Sequence, residues 1–288
     1  MPLGTTLKDA LRRTARSAGV VFHRLSLDDT RTYVELFGRE SVEKRRFFNI
    51  SGGGHFNFGC DIHHPCWTNV DLDRPWKGQP DNCRGIEYDP ARGDIAHDLL
   101  SMEPLSIASG VAELVHSRVT IEHITDGAAQ LFFREVHRIL KPGGLFRVVA
   151  PNIELDFRAL AARDARYFSW ADPAKGITLE RAFLGHFALS AAEGISDAEL
   201  KHIFETMGRE EALDHCVSRC SLEAHRRNRG GHINWWTPAK LQRALEAAGF
   251  GTVYLSAREQ SASPVLRNLA YFDNVFERFM LFMEAVKV

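Results

Sequence analysis

Cysteines are few and long apolar runs are absent from this sequence. Its 288 residues include five cysteines, none of them spaced as Cys-x-x-Cys, which favours reduced thiols in the cytoplasm over a disulfide framework. The longest apolar runs, such as 145–151, are far shorter than the about 20 residues that span a membrane. A signal peptide is not expected either, because Arg12, Arg13 and Arg16 interrupt the N-terminal region. The sequence thus predicts a cytoplasmic protein with no membrane span.

An excess of charge of one sign is also missing. The 36 Lys and Arg residues against 37 Asp and Glu residues leave a formal net charge of −1, so no global basic field is present to hold a nucleic acid or an anionic membrane. We therefore expect no nucleic-acid partner. The oligomeric state stays open, a homodimer included. The 44% hydrophobic and 25% charged residues are typical of an ordinary globular protein.

Short apolar runs alternate with helical patterns along the chain, which is typical of a parallel sheet covered by helices on both faces. The first predicted strand runs into the three glycines 52–54, and the second ends near an acid, Asp71. In chain order the predicted strands are 46–51, 67–72, 93–98, 112–119, 145–150, 252–256 and 279–286.

Helix-end signals frame three predicted helices. One begins at Thr125, and the Lys-Pro-Gly-Gly run 141–144 predicts its end, since proline cannot continue a helix and glycine adopts the left-handed angles that follow one. A second spans 153–166. A third begins with Thr237 as N-cap before a proline and ends at Gly249. We infer a helical extension over 1–44, a core over 45–152 and 234–288, and an inserted helical cap over 153–233.

The glycine turn and Asp71 form the strongest pair of signals. Glycines let the backbone bend sharply and approach a ligand without a Cβ, and an acid about twenty residues on accepts hydrogen bonds from both hydroxyls of a ribose. A dinucleotide fingerprint needs a glycine where the sequence has Asn57, so a cofactor with a ribose but no phosphate fits better. The alternative is a tight turn, with Asp71 as a cap at the strand end.

Six segments together resemble the class I S-adenosylmethionine-dependent methyltransferases, of the methyltransferase type 11 sort. The resemblance covers roughly 45–152 and 234–288, and the composite of Glu-His followed by Arg-Glu-Val-His-Arg-Ile-Leu-Lys-Pro-Gly-Gly is its most specific part. The segments are NISGGG (49–54), WTNVDLD (67–73), IAHDL (95–99), ELVHSRVTIEHI (113–124), FFREVHRILKPGGLFRVVAPN (132–152) and FERFMLFMEAVKV (276–288).

The resemblance implies a Rossmann-like α/β fold with a seven-stranded, mostly parallel sheet whose last strand is antiparallel. It implies S-adenosylmethionine as cofactor, with the methionine moiety at the glycine turn, the ribose at the acid and the adenine between the ends of the second and third strands. The end of the fourth strand then lies near the sulfonium. The residues so assigned are Ser51, Gly52, Gly53, Gly54, Asp71, Leu72, Asp98, Leu99, Ser117, Arg118 and Val119. The short, His-rich segment 55–65 departs from the family, which more often has a helix there.

A hydroxyl acceptor must lose its proton during methyl transfer, and a histidine of near-neutral pKa is the natural base. Two histidines are candidates. His123 follows the fourth strand, and His232 lies where the cap rejoins the core. We favour His232. For each, the alternative is a structural histidine bonded to the backbone.

Four residues of the cap and its return to the core are candidates for acceptor binding. Arg226 and Arg229 are candidates to bind a phosphate or carboxylate of the acceptor; the alternative is a solvated helix face. Trp235 and Trp236 are candidates to stack on a sugar or aromatic acceptor; the alternative is that they pack under the cap. No metal site is predicted, because the His/Cys-rich loop, with His55, Cys60, Asp61, His63, His64, Cys66 and Cys83, matches no common zinc spacing.

We therefore predict a methyltransferase that transfers a methyl group from S-adenosylmethionine to a small or medium acceptor, with O-methylation of a sugar or other metabolite ahead of N-methylation. Two alternatives remain. One is a catalytically silent, methyltransferase-like binding protein, and the other is a nucleotide-binding oxidoreductase.

Overall fold

A computed structural model describes residues 30–51, 62, 64–72, 90–169, 176–189, 194–227, 231–273 and 277–288. Its strands form one sheet in the order β3-β2-β1-β4-β5-β7-β6. Strands β1 to β5 pair in parallel, and β7 is antiparallel to both β5 and β6. The strands are β1 (Phe47–Ile50), β2 (Trp67–Asp71), β3 (Ile95–Ala96), β4 (Ala112–Arg118), β5 (Leu140–Pro151), β6 (Thr252–Ser256) and β7 (Met280–Val286). The predicted fold class and the antiparallel last strand are confirmed.

Helices flank this sheet and build a separate layer over 153–227. Two side-chain caps explain where helices begin. Thr125 accepts a hydrogen bond from the Ala128 amide, and Thr237 accepts one from the Lys240 amide. The α-helices of the described residues are α1 (Thr30–Phe37), α2 (Arg39–Glu43), α3 (Asp126–Ile139), α4 (Ile153–Ala161), α5 (Leu179–Phe187), α6 (Asp197–Thr206), α7 (Arg209–Ser218), α8 (Leu222–Arg227) and α9 (Pro238–Ala247). None of them is long and apolar enough to cross a membrane.

Three elements differ from the sequence prediction by two residues or more at an end. Strand β5 begins at Leu140, before the glycines, because the Lys-Pro-Gly-Gly run enters the strand through a register shift against β4. Gly144 makes this possible, since a Cβ there would lie 2.8 Å from the Lys141 carbonyl oxygen. Strand β3 is two residues long, because Asp98 caps the short helix Leu99–Ser101 that follows. Helix α4 ends at Ala161 rather than at residue 166, and Arg163 beyond it has a positive φ of 54°.

The apolar core divides into three clusters. The largest lies between one face of the sheet and helices α3 and α9, with Phe133, Val136 and Leu245 among its members. A second covers the opposite face and includes Trp67 and Phe272. The third lies within the helices over 153–227. This helical layer therefore has its own core, while the predicted domain boundaries stay a prediction.

Candidate active site

The carboxyl ends of the central parallel strands meet at one edge of the sheet, where open α/β folds bind ligands. Ser51 directly follows β1, Asp71 ends β2, and Ser117 lies near the end of β4; all three are buried. The Ser51 amide donates to the Val70 carbonyl at 2.9 Å. The Asp71 Oδ1 atom accepts from the Leu72 amide at 2.7 Å. The fold thus brings these three predicted cofactor residues to a common edge.

Two hydroxyl groups at this edge fit a polar ligand. The Oγ atoms of Ser51 and Ser117 are buried, and neither has a hydrogen-bond partner among the described residues. A buried hydroxyl without a partner costs free energy unless a ligand or water satisfies it. The predicted glycines Gly52, Gly53 and Gly54 lie outside the described residues.

A small cavity of about 10 Å³ lies beside the ends of β2 and β3. Its lining joins the three residues predicted at the adenine with His123, one of the two predicted bases. Asp98 is held in place there, because its Oδ1 atom accepts from the Leu100 amide at 2.9 Å. The lining residues are Leu72, His97, Asp98, Leu99, Leu100, His123, Ile124 and His225. The residues predicted to contact the adenine therefore line the same cavity as His123, a predicted base.

The two predicted bases are neighbours in space. His123 lies in the short helix Ile121–His123 after β4. The segment 231–236 runs beside it, since the Ile233 amide donates to the Glu122 carbonyl at 2.9 Å and the Asn234 side chain donates to the Ile124 carbonyl at 3.0 Å. The rings of His123 and His232 meet edge to face, with centroids 4.8 Å apart.

Backbone carbonyls fix the orientation of both imidazoles. His123 Nδ1 lies 3.2 Å from the Gly231 carbonyl oxygen, and His232 Nδ1 contacts the His186 carbonyl oxygen. A carbonyl oxygen only accepts, so each Nδ1 carries the proton of the neutral ring and each Nε2 is the basic atom. The backbone bonds expected of structural histidines are thus present, and the same bonds leave Nε2 as the reactive nitrogen.

Glu122 completes this cluster and was missed by the sequence analysis. Its side chain is 1% exposed, and neither carboxylate oxygen has a hydrogen-bond partner among the described residues. Burial raises the pKa of Glu122 to about 8, against the smaller opposing effect of the nearby backbone amides of Glu122 and Thr120. A group of Glu122, His123 and His232, with ligand atoms within 4.8 Å of one another, is therefore assembled here.

His225 also lines the cavity, next to Arg226, which was predicted to bind an anionic acceptor. The side chain is buried and stacks on His123 with ring centroids 6.4 Å apart. Arg226, by contrast, is exposed, with Nη2 3.5 Å from the Leu100 carbonyl oxygen. Arg229 lies outside the described residues.

Both tryptophans are buried in cores. Trp236 packs against Phe133 with ring centroids 5.8 Å apart, and Trp235 belongs to the cluster of the helical layer and donates from Nε1 to Asp214 at 2.8 Å. The Lys240 ammonium lies 4.0 Å from the Trp235 ring centroid. These surroundings favour packing, and a role for either ring toward an acceptor stays a prediction.

The end of β4 carries backbone strain. Val119 has a positive φ of 52°, which a β-branched residue rarely adopts. Its amide donates to the Val149 carbonyl at 2.9 Å, which holds the bend in place. The preceding Arg118 is buried. Such strain is common where a strand turns toward a ligand site, and the predicted cofactor roles of Arg118 and Val119 remain predictions.

The structure describes only part of the His/Cys-rich loop, for which no metal site is predicted. Within the described residues, His64 and Cys66 are buried, and His64 Nδ1 accepts from the Cys66 amide at 3.1 Å. Burial raises the pKa of the Cys66 thiol to about 11. His55, Cys60, Asp61, His63 and Cys83 lie outside the described residues.

The sequence model of a family described as a methyltransferase domain matches residues 43–255. No curated protein matches the sequence. Among solved structures, an S-adenosylmethionine-dependent methyltransferase from Mesorhizobium loti is similar at 16% identity and a TM-score of 0.37, over 84% of this chain and 90% of that one. A possible histamine N-methyltransferase from Thermotoga maritima is similar at 15% identity and a TM-score of 0.36, over 84% of this chain and 82% of that one.

Human N-acetylserotonin methyltransferase, solved with S-adenosylmethionine, is similar at 11% identity and a TM-score of 0.37 over 90% of this chain. This chain spans about half of that protein, 54%, and 55% of the solved methyltransferase SibL. The family match spans well over half of the present chain. The protein therefore belongs to the methyltransferase-domain family, and its seven-stranded, mostly parallel sheet has the predicted Rossmann-like α/β architecture.

Proposed function

We propose that this protein transfers a methyl group from S-adenosylmethionine to a hydroxyl group of a small acceptor that binds between the sheet edge and the helical layer. One observation supports this most directly. The cavity lined by Leu72, Asp98 and Leu99 is also lined by His123, which lies against His232 and Glu122. A proton-accepting cluster therefore adjoins the space proposed for the cofactor.

The proposed chemistry asks little of the protein beyond alignment and proton removal. When bound, S-adenosylmethionine supplies a methyl group on a positively charged sulfur, which keeps the electron pair of the broken carbon–sulfur bond. The protein positions the acceptor oxygen in line with that methyl carbon, at about 3–3.5 Å. The Nε2 atom of His232, or of His123, accepts the hydroxyl proton as the new oxygen–carbon bond forms. The proton then passes to water.

The remaining protein groups in the proposal hold the two reactants. Asp71 would bind the ribose hydroxyls, and the hydroxyls of Ser51 and Ser117 would pair with polar atoms of the cofactor. The helical layer over 153–227 would enclose a modest ligand, which favours a sugar or other hydroxylated metabolite over a macromolecule. An acidic acceptor would also contact Arg226 or Arg229.

A direct test incubates the purified protein with S-adenosylmethionine and two matched acceptor panels, one of sugars and phenols and one of primary amines. We expect S-adenosylhomocysteine and a methyl ether, detected by mass spectrometry, only with the hydroxyl panel. Methylation confined to amines would contradict the oxygen acceptor. Tight binding of S-adenosylhomocysteine with no turnover in either panel would favour a silent binding protein.

The role of His232 is tested by His232→Ala. We expect turnover to fall by about 10²-fold or more, with affinity for S-adenosylhomocysteine nearly intact because His232 does not line the cavity beside Leu72 and Asp98. His202→Ala is the matched control, since His202 is exposed on α6. A wild-type rate in His232→Ala would remove this histidine from the reaction.

A further inference from the structure

We propose that Glu122, His123 and His232 bind a divalent transition-metal ion such as Zn²⁺. This inference deepens the proposed function by adding a metal to the same site, but ion binding itself does not depend on the reaction. The three residues offer one carboxylate oxygen and two imidazole nitrogens within 4.8 Å of one another. Two histidines with one carboxylate are a common ligand set for catalytic zinc and for iron, and they leave coordination positions open.

The imidazoles are already oriented as metal ligands. A ligating histidine almost always donates its other ring N–H to a carbonyl or carboxylate, which fixes the tautomer and the ring direction. His123 donates from Nδ1 to the Gly231 carbonyl and His232 donates from Nδ1 to the His186 carbonyl. The Nε2 atoms are therefore the ligand atoms, without any change of tautomer.

Asp156 supports His186, the residue whose carbonyl oxygen accepts the hydrogen bond from His232. His186 Nδ1 lies 2.6 Å from Asp156 Oδ1, and the Asp156 side chain is fully buried. The rings of His186 and His232 have centroids 5.8 Å apart. Because Asp156 anchors the residue whose carbonyl accepts from His232, the orientation of this ligand is fixed by two successive contacts.

Glu122 supplies the observation that points to a bound cation. A buried carboxyl group without a hydrogen-bond partner is costly, and neither Glu122 oxygen has a partner of good hydrogen-bond geometry among the described residues. The nearby backbone amides of Glu122 and Thr120 offset only part of the effect of burial. A divalent cation at this point satisfies the carboxylate and reverses the local charge. Tetrahedral ligands at about 2.1 Å from one ion lie roughly 3.4 Å apart, so the three ligand atoms, now within 4.8 Å of one another, must close by up to about 1.4 Å on binding.

The location gives such an ion a role. His123 lines the cavity beside the predicted cofactor residues, so the ion would lie next to the space proposed for the cofactor. A divalent cation lowers the pKa of a hydroxyl that it contacts. The ion would then promote loss of the acceptor's hydroxyl proton, a step that the proposed function otherwise assigns to His232 as base.

The test measures metal binding directly. The 288-residue protein is dialysed against EDTA. It is then titrated with Zn²⁺ by calorimetry and with Co²⁺ by visible absorption, which reports the ligand geometry. We expect one ion fewer, or an affinity at least tenfold weaker, in Glu122→Gln and His232→Ala than in the wild type. His202→Ala should match the wild type. A circular-dichroism melt of each variant shows that it is folded, and Glu122→Gln is the least disruptive of them.

Two outcomes separate this proposal from the proposed function. If the wild type binds no ion, or if Glu122→Gln and His232→Ala both bind as the wild type does, the metal site is wrong, whatever the methyl-transfer assay shows. If an ion binds with the expected variant pattern but neither acceptor panel is methylated, the metal site stands and the proposed reaction fails. A zinc-soaked crystal should show anomalous density about 2.0–2.2 Å from the three ligand atoms.

Discussion

Asp71 is the residue on which the proposed cofactor site most depends. It is buried at the end of β2, and its Oδ1 atom accepts from the Leu72 amide. A carboxylate so held is directed by its own backbone before any ligand arrives, so little freedom is lost when it accepts hydrogen bonds from a ribose. Charge-assisted hydrogen bonds of this kind are stronger than neutral ones.

We predict that Asp71→Ala weakens binding of S-adenosylhomocysteine by about 1–3 kcal/mol, because its charge-assisted hydrogen bonds are lost. Isothermal titration calorimetry measures the change. Asp164→Ala serves as the control, since Asp164 is an exposed aspartate after α4. Affinity equal to that of the wild type would exclude Asp71 from the site.

Single residues of the candidate site could be proposed from sequence where the signal was local. Asp71 was proposed from its position after a strand, and His123 and His232 from their residue type and place in the chain. Glu122 and His225 were not, because their importance comes from burial against segments about a hundred positions away. The approach of 231–236 to the turn after β4 depends on backbone contacts that no local pattern reports.

At the scale of elements, a buried polar row crosses the sheet in register. Asn69, Asn49 and His116 lie side by side on β2, β1 and β4. Asn49 donates to Asn69 at 3.0 Å and contacts His116 Nδ1 at 2.9 Å. Burial lowers the pKa of His116 well below its ordinary value, so this histidine is a neutral partner in the row. The row continues through Arg147 on β5.

Arg147 ties three strands and the segment before β7 together. It is fully buried and pairs with Glu284 at 2.9 Å and with Asp273 at 2.5 Å. Tyr254 on β6 donates to the same Glu284 at 2.7 Å. Removal of one partner from such a cluster leaves the opposite charges buried and uncompensated.

We therefore predict that Arg147→Met lowers the free energy of unfolding by about 3–5 kcal/mol, measured by urea denaturation. Arg158→Met is the matched control. Arg158 also pairs with an acid, Glu154, but its side chain is 71% exposed, and such pairs contribute about 1 kcal/mol or less. An equal decrease in the free energy of unfolding in the two variants would contradict the claim that burial makes the Arg147 ion pairs more important than the exposed Arg158 pair.

A second pair, on α3, predicts a pH dependence. Hydrogen bonds from Arg138 hold the pKa of Glu135 below its ordinary value, and the Leu105 amide adds to this effect at 2.8 Å. A carboxylate whose pKa is depressed by folding stabilises the protein above its unfolded pKa, and this stabilisation is lost as the pH falls through the folded pKa. Glu135→Gln should thus lower stability by about 1–2 kcal/mol at pH 7.

The difference between Glu135→Gln and the wild type should shrink as the pH is lowered below about 4, near the ordinary pKa of a glutamate. Chemical denaturation at pH 7, 5 and 3.5 measures it. Gln242→Glu, on the exposed face of α9, is a control for a change of one charge. A difference that is constant over this range would contradict the assigned role of ionisation.

The positions of helices and strands were predictable from the periodicity of apolar residues, but the residues at which they begin and end were harder to predict. Strand β4 and helix α3 lie where the apolar pattern placed them, because each buries a face whose spacing matches its geometry. The start of β5 was wrong, since a glycine pair usually ends a helix but here enters a strand through a bulge. Tertiary pairing with β4 decided between these two uses of the same residues.

At the scale of the whole molecule, the family resemblance predicted the antiparallel last strand, but the order of the strands in the sheet was not predicted. Local patterns indicate parallel strands, but they do not say that β7 inserts between β5 and β6. That arrangement brings distant parts of the chain together, as the pairing of Arg147 with Glu284 shows. The candidate site likewise combines the carboxyl ends of β1, β2 and β4 with the segment 231–236 that returns from the helical layer.

Cofactor binding should stabilise this whole assembly. A ligand that binds only the folded state at 100 times its Kd adds about 2.7 kcal/mol, which for a chain of this size raises Tm by roughly 5–10 °C. We predict such a rise with S-adenosylhomocysteine and none with NAD⁺, measured by differential scanning calorimetry. The Asp71→Ala variant should need more S-adenosylhomocysteine for the same shift, because its Kd is larger. A rise with NAD⁺ alone would instead favour the oxidoreductase alternative, since the ligand that stabilises the fold is the one that the strand ends recognise.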